Sequence, residues 1–157
     1  MKHRQFITFF IGDDLFGVDI LLVREINRNF EVTPVDRAPS FVHGLLNLRG
    51  QIVTVINLAL RLGLESKSPS SKTCSIIFKT NKDLSALQIE DFSQETSPDL
   101  VGLLVDKVGD VLIFDEEDID HMPILSERIG SKFVNGVIKL NDRLLVTLNV
   151  SALFEFN

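Results

Sequence analysis

The first part of the chain carries short apolar runs with few polar interruptions, of the length typical of β-strands. Gln5 to Ile11 shows this pattern, and a Gly-Asp-Asp turn then leads into a second strand pattern from Leu15 to Asp19. The segment from Ile20 to Ile26 is apolar except for one Arg-Glu pair, so its pattern fits either a helical turn or a buried strand. We favour a bend followed by a strand that runs through Ile26.

Further strand patterns, separated by turn residues, follow along the rest of the chain. They run over Gly44 to Leu48, Ile52 to Leu58, Cys74 to Lys79, Leu100 to Asp106, Val108 to Phe114, Phe133 to Leu140 and Leu144 to Val150. Short helices are predicted from Ala59 to Leu64, ending near Gly63, and in the tail that ends near Phe156. The polar stretch from Asn81 to Asp99 is predicted to be a surface excursion. Many short strands and few helices predict a mainly β fold.

An internal repeat is the most informative feature of the chain's organisation. Phe41 to Leu48 resembles Phe133 to Leu140 in both identity and residue type, and the alignment continues without a gap, so that Asn57 aligns with Asn149. Each copy is followed by a short candidate helix. Apolar strands can resemble one another by chance, but the gapless match favours two related small β-barrels.

The composition is that of an ordinary soluble globular protein. The chain has 157 residues, of which 45% are hydrophobic and 24% charged, which suits one domain or two closely fused small units. No run approaches the roughly 18 apolar residues of a membrane-spanning helix, and the start leads directly into a strand pattern, so we expect a cytoplasmic protein without direct membrane insertion. The single cysteine, Cys74, excludes an internal disulfide and is expected to be a small buried hydrophobic residue.

Charge and motif spacing argue against several classes of function. The net charge is -6 and the basic residues are scattered, so the chain has no obvious footprint for nucleic acid. The histidines, His3, His43 and His121, have no metal-ligand spacing, and the sequence contains no glycine-rich phosphate loop. Acidic pairs such as Glu116-Glu117 lie in polar turns, where solvated surface explains them better than acid–base catalysis. We therefore predict no catalytic residue, no metal and no cofactor.

The remaining candidate is the segment Asn47-Leu48-Arg49-Gly50, which places a guanidinium group at a tight turn between two apolar strands. The fork of a guanidinium group suits carboxylates. The alternative is that Arg49 is a solvated hairpin residue and that Gly50 only allows a positive φ. Glu25, inside the strand pattern that ends at Ile26, is open to the same two interpretations.

The motifs along the chain occur together, in this order, in one known family. They are Phe16-Gly17-Val18-Asp19, Val23-Arg24-Glu25-Ile26, Thr33-Pro34-Val35, Ala38-Pro39, Phe41-Val42-His43-Gly44, Asn47-Leu48-Arg49-Gly50, Gly102-Leu103-Leu104-Val105-Asp106-Lys107-Val108 and Phe133-Val134-Asn135-Gly136-Val137. This ordered set resembles the CheW-like domain, the coupling module of bacterial chemotaxis arrays. The resemblance implies two five-stranded SH3-like β-barrels packed together with a few short helices. It also implies a single domain over residues 1–157, made of two interleaved barrel subdomains without a linker-separated second domain.

The resemblance implies a function as well as a fold. Members of this family are adaptors without enzymatic activity, which bridge the cytoplasmic tip of chemoreceptors (methyl-accepting proteins) and the regulatory domain of the histidine kinase CheA. The protein would then be cytoplasmic and associated with membrane receptor arrays through its partners. Kinase binding in the family uses barrel-to-barrel contact, so exposed apolar residues of the first barrel would meet a similar barrel in CheA.

Six residues are implied at or beside the groove that receives the receptor helix. They are Val23, Glu25, Gly44, Asn47, Arg49 and Gly50. Arg49 would either pair with a carboxylate of the receptor or hold the groove wall against Glu25, and both roles remain open.

Departures from the family pattern bear on the partners more than on the fold. Asp36, Thr54 and Asn57 replace residues common in the family, and the stretch from Asn81 to Asp99 is longer than the usual hairpin connection. An alternative is therefore a CheV-like or decoy kinase-binding module of a non-flagellar chemosensory pathway. A small enzyme or ligand-binding barrel with this stretch as a lid is the third reading, and a pocket with converging polar side chains would favour it.

Overall fold

The computed structural model describes residues 3–28, 31–90, 92–121 and 129–156, and within these ranges the chain forms ten strands and three short α-helices. The strands are β1 (His3–Ile11), β2 (Asp14–Asp19), β3 (Val23–Asn27), β4 (Val42–Leu48), β5 (Gln51–Asn57), β6 (Cys74–Phe78), β7 (Val101–Val105), β8 (Lys107–Asp115), β9 (Val134–Lys139) and β10 (Leu144–Leu148). The helices are α1 (Leu58–Leu62), α2 (Asn81–Leu87) and α3 (Val150–Leu153). No helix in the described ranges has the length and apolar character needed to cross a membrane.

The strands form two five-stranded sheets, which confirms the prediction of a mainly β fold with two similar units. The first sheet has the order β8-β1-β2-β10-β9 and the second has the order β3-β6-β7-β5-β4. The chain therefore leaves the first sheet after β2, builds the whole second sheet, and returns to the first sheet with β8.

The two sheets match strand by strand. Each contains a central antiparallel hairpin, β1–β2 or β6–β7, with a further antiparallel strand on one side, β8 or β3. On the other side lies a parallel neighbour, β10 or β5, which pairs with an edge strand, β9 or β4. Residue pairs of the β4–β5 hairpin align with residue pairs of the β9–β10 hairpin, as Leu46 and Val53 do with Ile138 and Leu145. The repeat in the sequence is therefore also a repeat in the structure.

The helix caps follow the same repeat. The Asn57 side chain accepts a hydrogen bond from the Leu60 backbone N–H at 3.1 Å and caps α1. The Asn149 side chain accepts one from the Ala152 backbone N–H at 3.4 Å and caps α3. Gly63 ends α1 in the left-handed region with φ +78°, which confirms the predicted end of that helix.

Apolar side chains from both sheets share the largest core cluster. Phe9 and Phe16 of the first sheet lie in it together with Ile76 and Leu103 of the second sheet. Cys74 is buried in the same cluster as a free thiol whose pKa is raised by burial, so it is the small buried hydrophobic residue that was predicted. Two smaller clusters contain equivalent residues of the repeat. Leu46 and Val53 lie in one cluster, and their counterparts Ile138 and Leu145 lie in the other.

Two local predictions have different outcomes. The segment from Ile20 to Ile26 forms a 3₁₀ turn, Ile20–Leu22, followed by β3, so the favoured bend and strand are confirmed. The prediction of a surface excursion over Asn81 to Asp99 missed α2, which opens that stretch. The helix is hard to see in the sequence because Leu84 is its one buried residue, and therefore no apolar face shows in the pattern.

Candidate protein-interaction site

The β4–β5 hairpin ends in a two-residue turn at Arg49 and Gly50. Leu48 pairs with Gln51 across it, and the two turn residues have φ +50° and φ +84°. Two positive φ angles are the signature of a type I′ turn, which favours Asn and Gly. Gly50 fits this turn, whereas a residue with a Cβ in the left-handed region is unfavourable by about 1 kcal/mol. Arg49 therefore has a backbone conformation that is unfavourable for a residue with a side chain, and the surrounding structure must hold it there.

The Asn47 side chain helps to shape this turn. Its Oδ1 accepts a hydrogen bond from the Gly50 backbone N–H at 3.1 Å. Asn47 is thus a support for the conformation of Arg49 as well as an exposed residue beside it.

Arg49 reaches across to Glu25 on β3. Its Nη2 donates to Oε1 of Glu25 at 2.5 Å, and the two side chains are 65% and 26% exposed. β3 and β4 are the two edges of the second sheet, which in a flat sheet would lie roughly 19 Å apart. The contact therefore shows that the sheet is curled until its edges approach each other.

A second side-chain contact joins β3 to the β4–β5 hairpin. Nη2 of Arg24 donates to Oε1 of Gln51 at 2.9 Å, and Nε of Arg24 lies 3.9 Å from Oε1 of Glu25. Glu25 thus faces two guanidinium groups, which leaves a local excess of positive charge. Because an exposed ion pair contributes at most about 1 kcal/mol to stability, the fold does not depend on keeping Arg49 engaged with Glu25.

Val23 and Gly44 contribute to the packing of the fold. Val23 is half-buried and packs against the main core. Gly44 is buried, and a Cβ built on it would lie 2.7 Å from the carbonyl oxygen of Thr33. Thr33 and Leu45 exchange two backbone hydrogen bonds of 2.8 Å. Because Gly44 has no side chain, the segment that contains Thr33 can pass close to β4.

The first sheet repeats this close approach. A Cβ on Gly136 would lie 3.0 Å from the carbonyl oxygen of Asp120, which pairs with Val137 through two hydrogen bonds of 2.9 Å. Gly44 and Gly136 are equivalent positions of the repeat. The geometry therefore gives Gly44 a role in the fold that both units share.

The turn itself is not repeated. The β9–β10 hairpin carries Asn141 and Asp142 at the equivalent positions, where the Leu140 backbone N–H donates to the Arg143 carbonyl at 2.9 Å. Among the described residues neither has a positive φ, in contrast to Arg49. The left-handed arginine is specific to one copy.

Sequence reasoning missed a groove beside this turn. It has a volume of about 460 Å³, and its lining includes Arg24, Gln51, Lys79, Asp83, Leu87 and Leu100. Because α2 was not predicted, its contribution could not be foreseen. The one available signal was the capping-box spacing of Thr80 and Asp83, whose side chains and backbone N–H groups bond reciprocally at 3.1 and 3.2 Å.

Two titratable groups that do not line the groove, buried Asp19 and half-buried His43, have shifted pKa values. Burial raises the pKa of Asp19, whose carboxylate accepts from the Leu21 N–H at 2.9 Å and lies 3.5 Å from Arg4. Burial lowers the pKa of His43 on β4. Within the described ranges, no three His, Cys, Asp or Glu side chains are grouped so that they could hold a metal ion.

Comparisons with known proteins agree on one family. A family model described as CheW-like domain matches residues 5–156. The probable chemotaxis protein CheW of Rhizobium etli is 31% identical over 97% of this chain and 88% of that protein, and the chemotaxis protein CheW of Thermotoga maritima is 30% identical over 99% and 90%. The crystal structure of the scaffolding protein TtCheW from Thermoanaerobacter tengcongensis superposes with a TM-score of 0.82 at 28% identity, covering 99% of this chain and 95% of that one.

Proposed function

Because the chain belongs to the CheW-like domain family, we propose that it is a non-catalytic coupling adaptor of chemotaxis signalling, which bridges chemoreceptors and the histidine kinase CheA. Its relatives are named chemotaxis proteins CheW, and the similar solved structure is named a scaffolding protein. Binding to a membrane receptor array through these partners is part of the proposal.

The observation that supports this most is the unrepeated Arg49 turn. A left-handed arginine, 65% exposed and paired with a carboxylate of the opposite sheet edge, has no counterpart in the other hairpin. Backbone strain of this kind is found preferentially at binding sites, because the surrounding structure must hold it in place. We assign this turn to the receptor contact, with Glu25 as its ionic partner.

The remaining members of the site divide by role. Asn47 and Gly50 hold the turn, whereas Val23 and Gly44 set the positions of β3 and β4. An amphipathic helix docking in a groove is a known mode of recognition, and the receptor tip would supply that helix.

Arg49 has two candidate roles that a charge exchange separates. If Arg49 holds the groove wall against Glu25, Arg49→Glu weakens receptor binding and the double variant Glu25→Arg, Arg49→Glu restores it, since the ion pair is re-formed with its charges reversed. If Arg49 pairs with a receptor carboxylate, the double variant stays defective.

The kinase contact belongs to a different surface. The most exposed apolar residues of the first sheet are Ile113 at 64%, Leu144 at 48% and Val111 at 47%. Ile113 and Val111 lie on the edge strand β8, where a barrel of the CheA regulatory domain could pack. Such a contact typically buries about 800 Å² per partner, so avidity in the array would add to a modest affinity.

The proposal is tested with purified full-length chain and each partner separately. We expect binding to a soluble chemoreceptor tip fragment and to a CheA regulatory domain, with Arg49→Glu weakening the first alone and disrupting receptor control of kinase activity. Binding to the kinase domain without the receptor fragment would identify a decoy module and overturn the coupling role. Unchanged coupling by Arg49→Glu would remove the role assigned to Arg49.

A further inference from the structure

The connection between β6 and β7 differs from its counterpart in the first sheet. The hairpin β1–β2 is joined by Gly12 and Asp13 alone, whereas β6 ends at Phe78 and β7 starts at Val101. The equivalent hairpins have the same strand pairing, so the long connection is an addition to one copy of the repeat.

The base of this connection is closed by hydrogen bonds. Thr96 is buried, its hydroxyl donates to the Lys79 carbonyl at 2.5 Å, and its backbone N–H donates to the Asn81 side chain at 2.8 Å. The Asn81 N–H donates to the Ser97 carbonyl at 2.9 Å. These bonds fix the start of α2, and buried Leu84 packs the helix on the main core. The helix therefore has a fixed orientation.

One face of α2 is left open toward the groove. Leu87 is 49% exposed there, with Leu100 half-buried nearby. The opposite side of the groove carries Arg24 and Gln51, which are direct sequence neighbours of Glu25 and Gly50. The groove is thus continuous with the Arg49 turn.

We propose that α2 forms the second wall of the partner-binding groove and selects an amphipathic helix that places an apolar side chain on Leu87 and an acidic one toward Arg24. The inference rests on the proposed function, because the occupant is the receptor-tip helix. Arg24 and Lys79 against Asp83 give the groove a positive excess in a chain whose net charge is -6, and this favours an acidic partner segment. The receptor tip supplies a helix, and docking of an amphipathic helix in a groove is a known mode of recognition.

The test measures binding of the full chain to a soluble chemoreceptor tip fragment and, separately, to a CheA regulatory domain. Leu87→Glu is compared with Leu60→Glu, because Leu60 is an exposed leucine of α1, 42% exposed, that does not line the groove. We expect Leu87→Glu to raise the Kd for the receptor fragment at least about tenfold, as for a central interface residue. Leu60→Glu should leave that Kd within about twofold, and kinase-domain binding should be the same for Leu87→Glu and wild type. Thermal unfolding confirms that both variants are folded.

A charge series provides an independent readout. Arg24→Glu is expected to weaken receptor-fragment binding. Asp83→Asn, which removes a negative charge but retains the side-chain acceptor of the α2 capping box, is expected to strengthen it, and both effects should shrink as salt is raised. Shifts in the opposite directions, or none, overturn the acidic-helix assignment.

The outcomes separate the inference from the proposed function. If Arg49→Glu weakens binding and Leu87→Glu binds like wild type, the role of α2 is wrong and the receptor site stands. If Leu87→Glu is defective and Arg49→Glu is normal, α2 is confirmed and the role of Arg49 is wrong. If wild type binds no receptor fragment, the proposed function and the inference both fail.

Discussion

The β4–β5 and β9–β10 hairpins are equivalent in construction but end in different turns. Both have a parallel neighbour in the sheet, a glycine crossed closely by another segment, and an asparagine that caps the following helix. One ends in the left-handed Arg49 and Gly50, and the other in Asn141 and Asp142 with no positive φ. Residues that the two copies share build the fold, and residues that one copy alone carries are candidates for binding.

The largest expected effect comes from the shared glycines. Gly44→Val and Gly136→Val should each lower the free energy of unfolding by at least about 3 kcal/mol, because a side chain would overlap the backbone that crosses the strand. Chemical denaturation measures both. A stable, fully folded Gly44→Val protein would contradict the structural role of this glycine.

The next largest effect is on receptor binding, and it compares a charge reversal in each of the two hairpins. Arg49→Glu should weaken receptor-fragment binding by about 2 kcal/mol, roughly thirtyfold, whereas Arg143→Glu in the equivalent hairpin should leave it unchanged. Isothermal calorimetry gives both values. Equal losses for the two variants would mean that the effect is one of overall charge and would break the contrast between the hairpins.

The two helix caps should have similar effects on stability. Asn57→Ala and Asn149→Ala each remove a side-chain acceptor for a helix N–H group, so each should cost about 1 kcal/mol in unfolding free energy. Asn57→Asp and Asn149→Asp, which retain an acceptor, serve as controls. A large effect at one cap and none at the other would show that the copies differ in more than their turns.

A smaller gain in stability is expected from relieving the strained turn. Arg49→Gly should raise the unfolding free energy by up to about 1 kcal/mol, since glycine adopts a positive φ without a Cβ penalty. Receptor binding should fall in the same variant. A loss of stability would show that the contact of Arg49 with Glu25 outweighs the backbone strain.

The last prediction concerns pH at the first crossing between the sheets. Burial raises the pKa of Asp19 above its ordinary value of 3.8, so the folded protein binds this proton more tightly than the unfolded chain does. The resulting stabilisation is present below pH 3.8 and is lost as the pH rises through the folded-state pKa. Asp19→Asn removes this titration and should flatten the stability profile above pH 3.8, as denaturation at a series of pH values would show. An unchanged profile would contradict it.

Local patterns were sufficient for most of the elements. The short apolar run in Gln5 to Ile11 and the turn residues at Arg49 and Gly50 predicted strands and a hairpin that the structure confirms, because apolar patterning and turn preference act over a few residues. α2 escaped prediction because Leu84 is its one buried residue, too few to give a helical period.

The sequence by itself determined the two similar β units, through a repeat in which Phe41 to Leu48 matches Phe133 to Leu140, and it marked the unrepeated Arg49. Tertiary structure alone decided which strands pair in each sheet and that Glu25 contacts Arg49 across two sheet edges. It also decided that α2 faces the same groove. The physical reason is that strand partners and sheet curvature depend on how distant apolar faces are buried together, which no local pattern encodes.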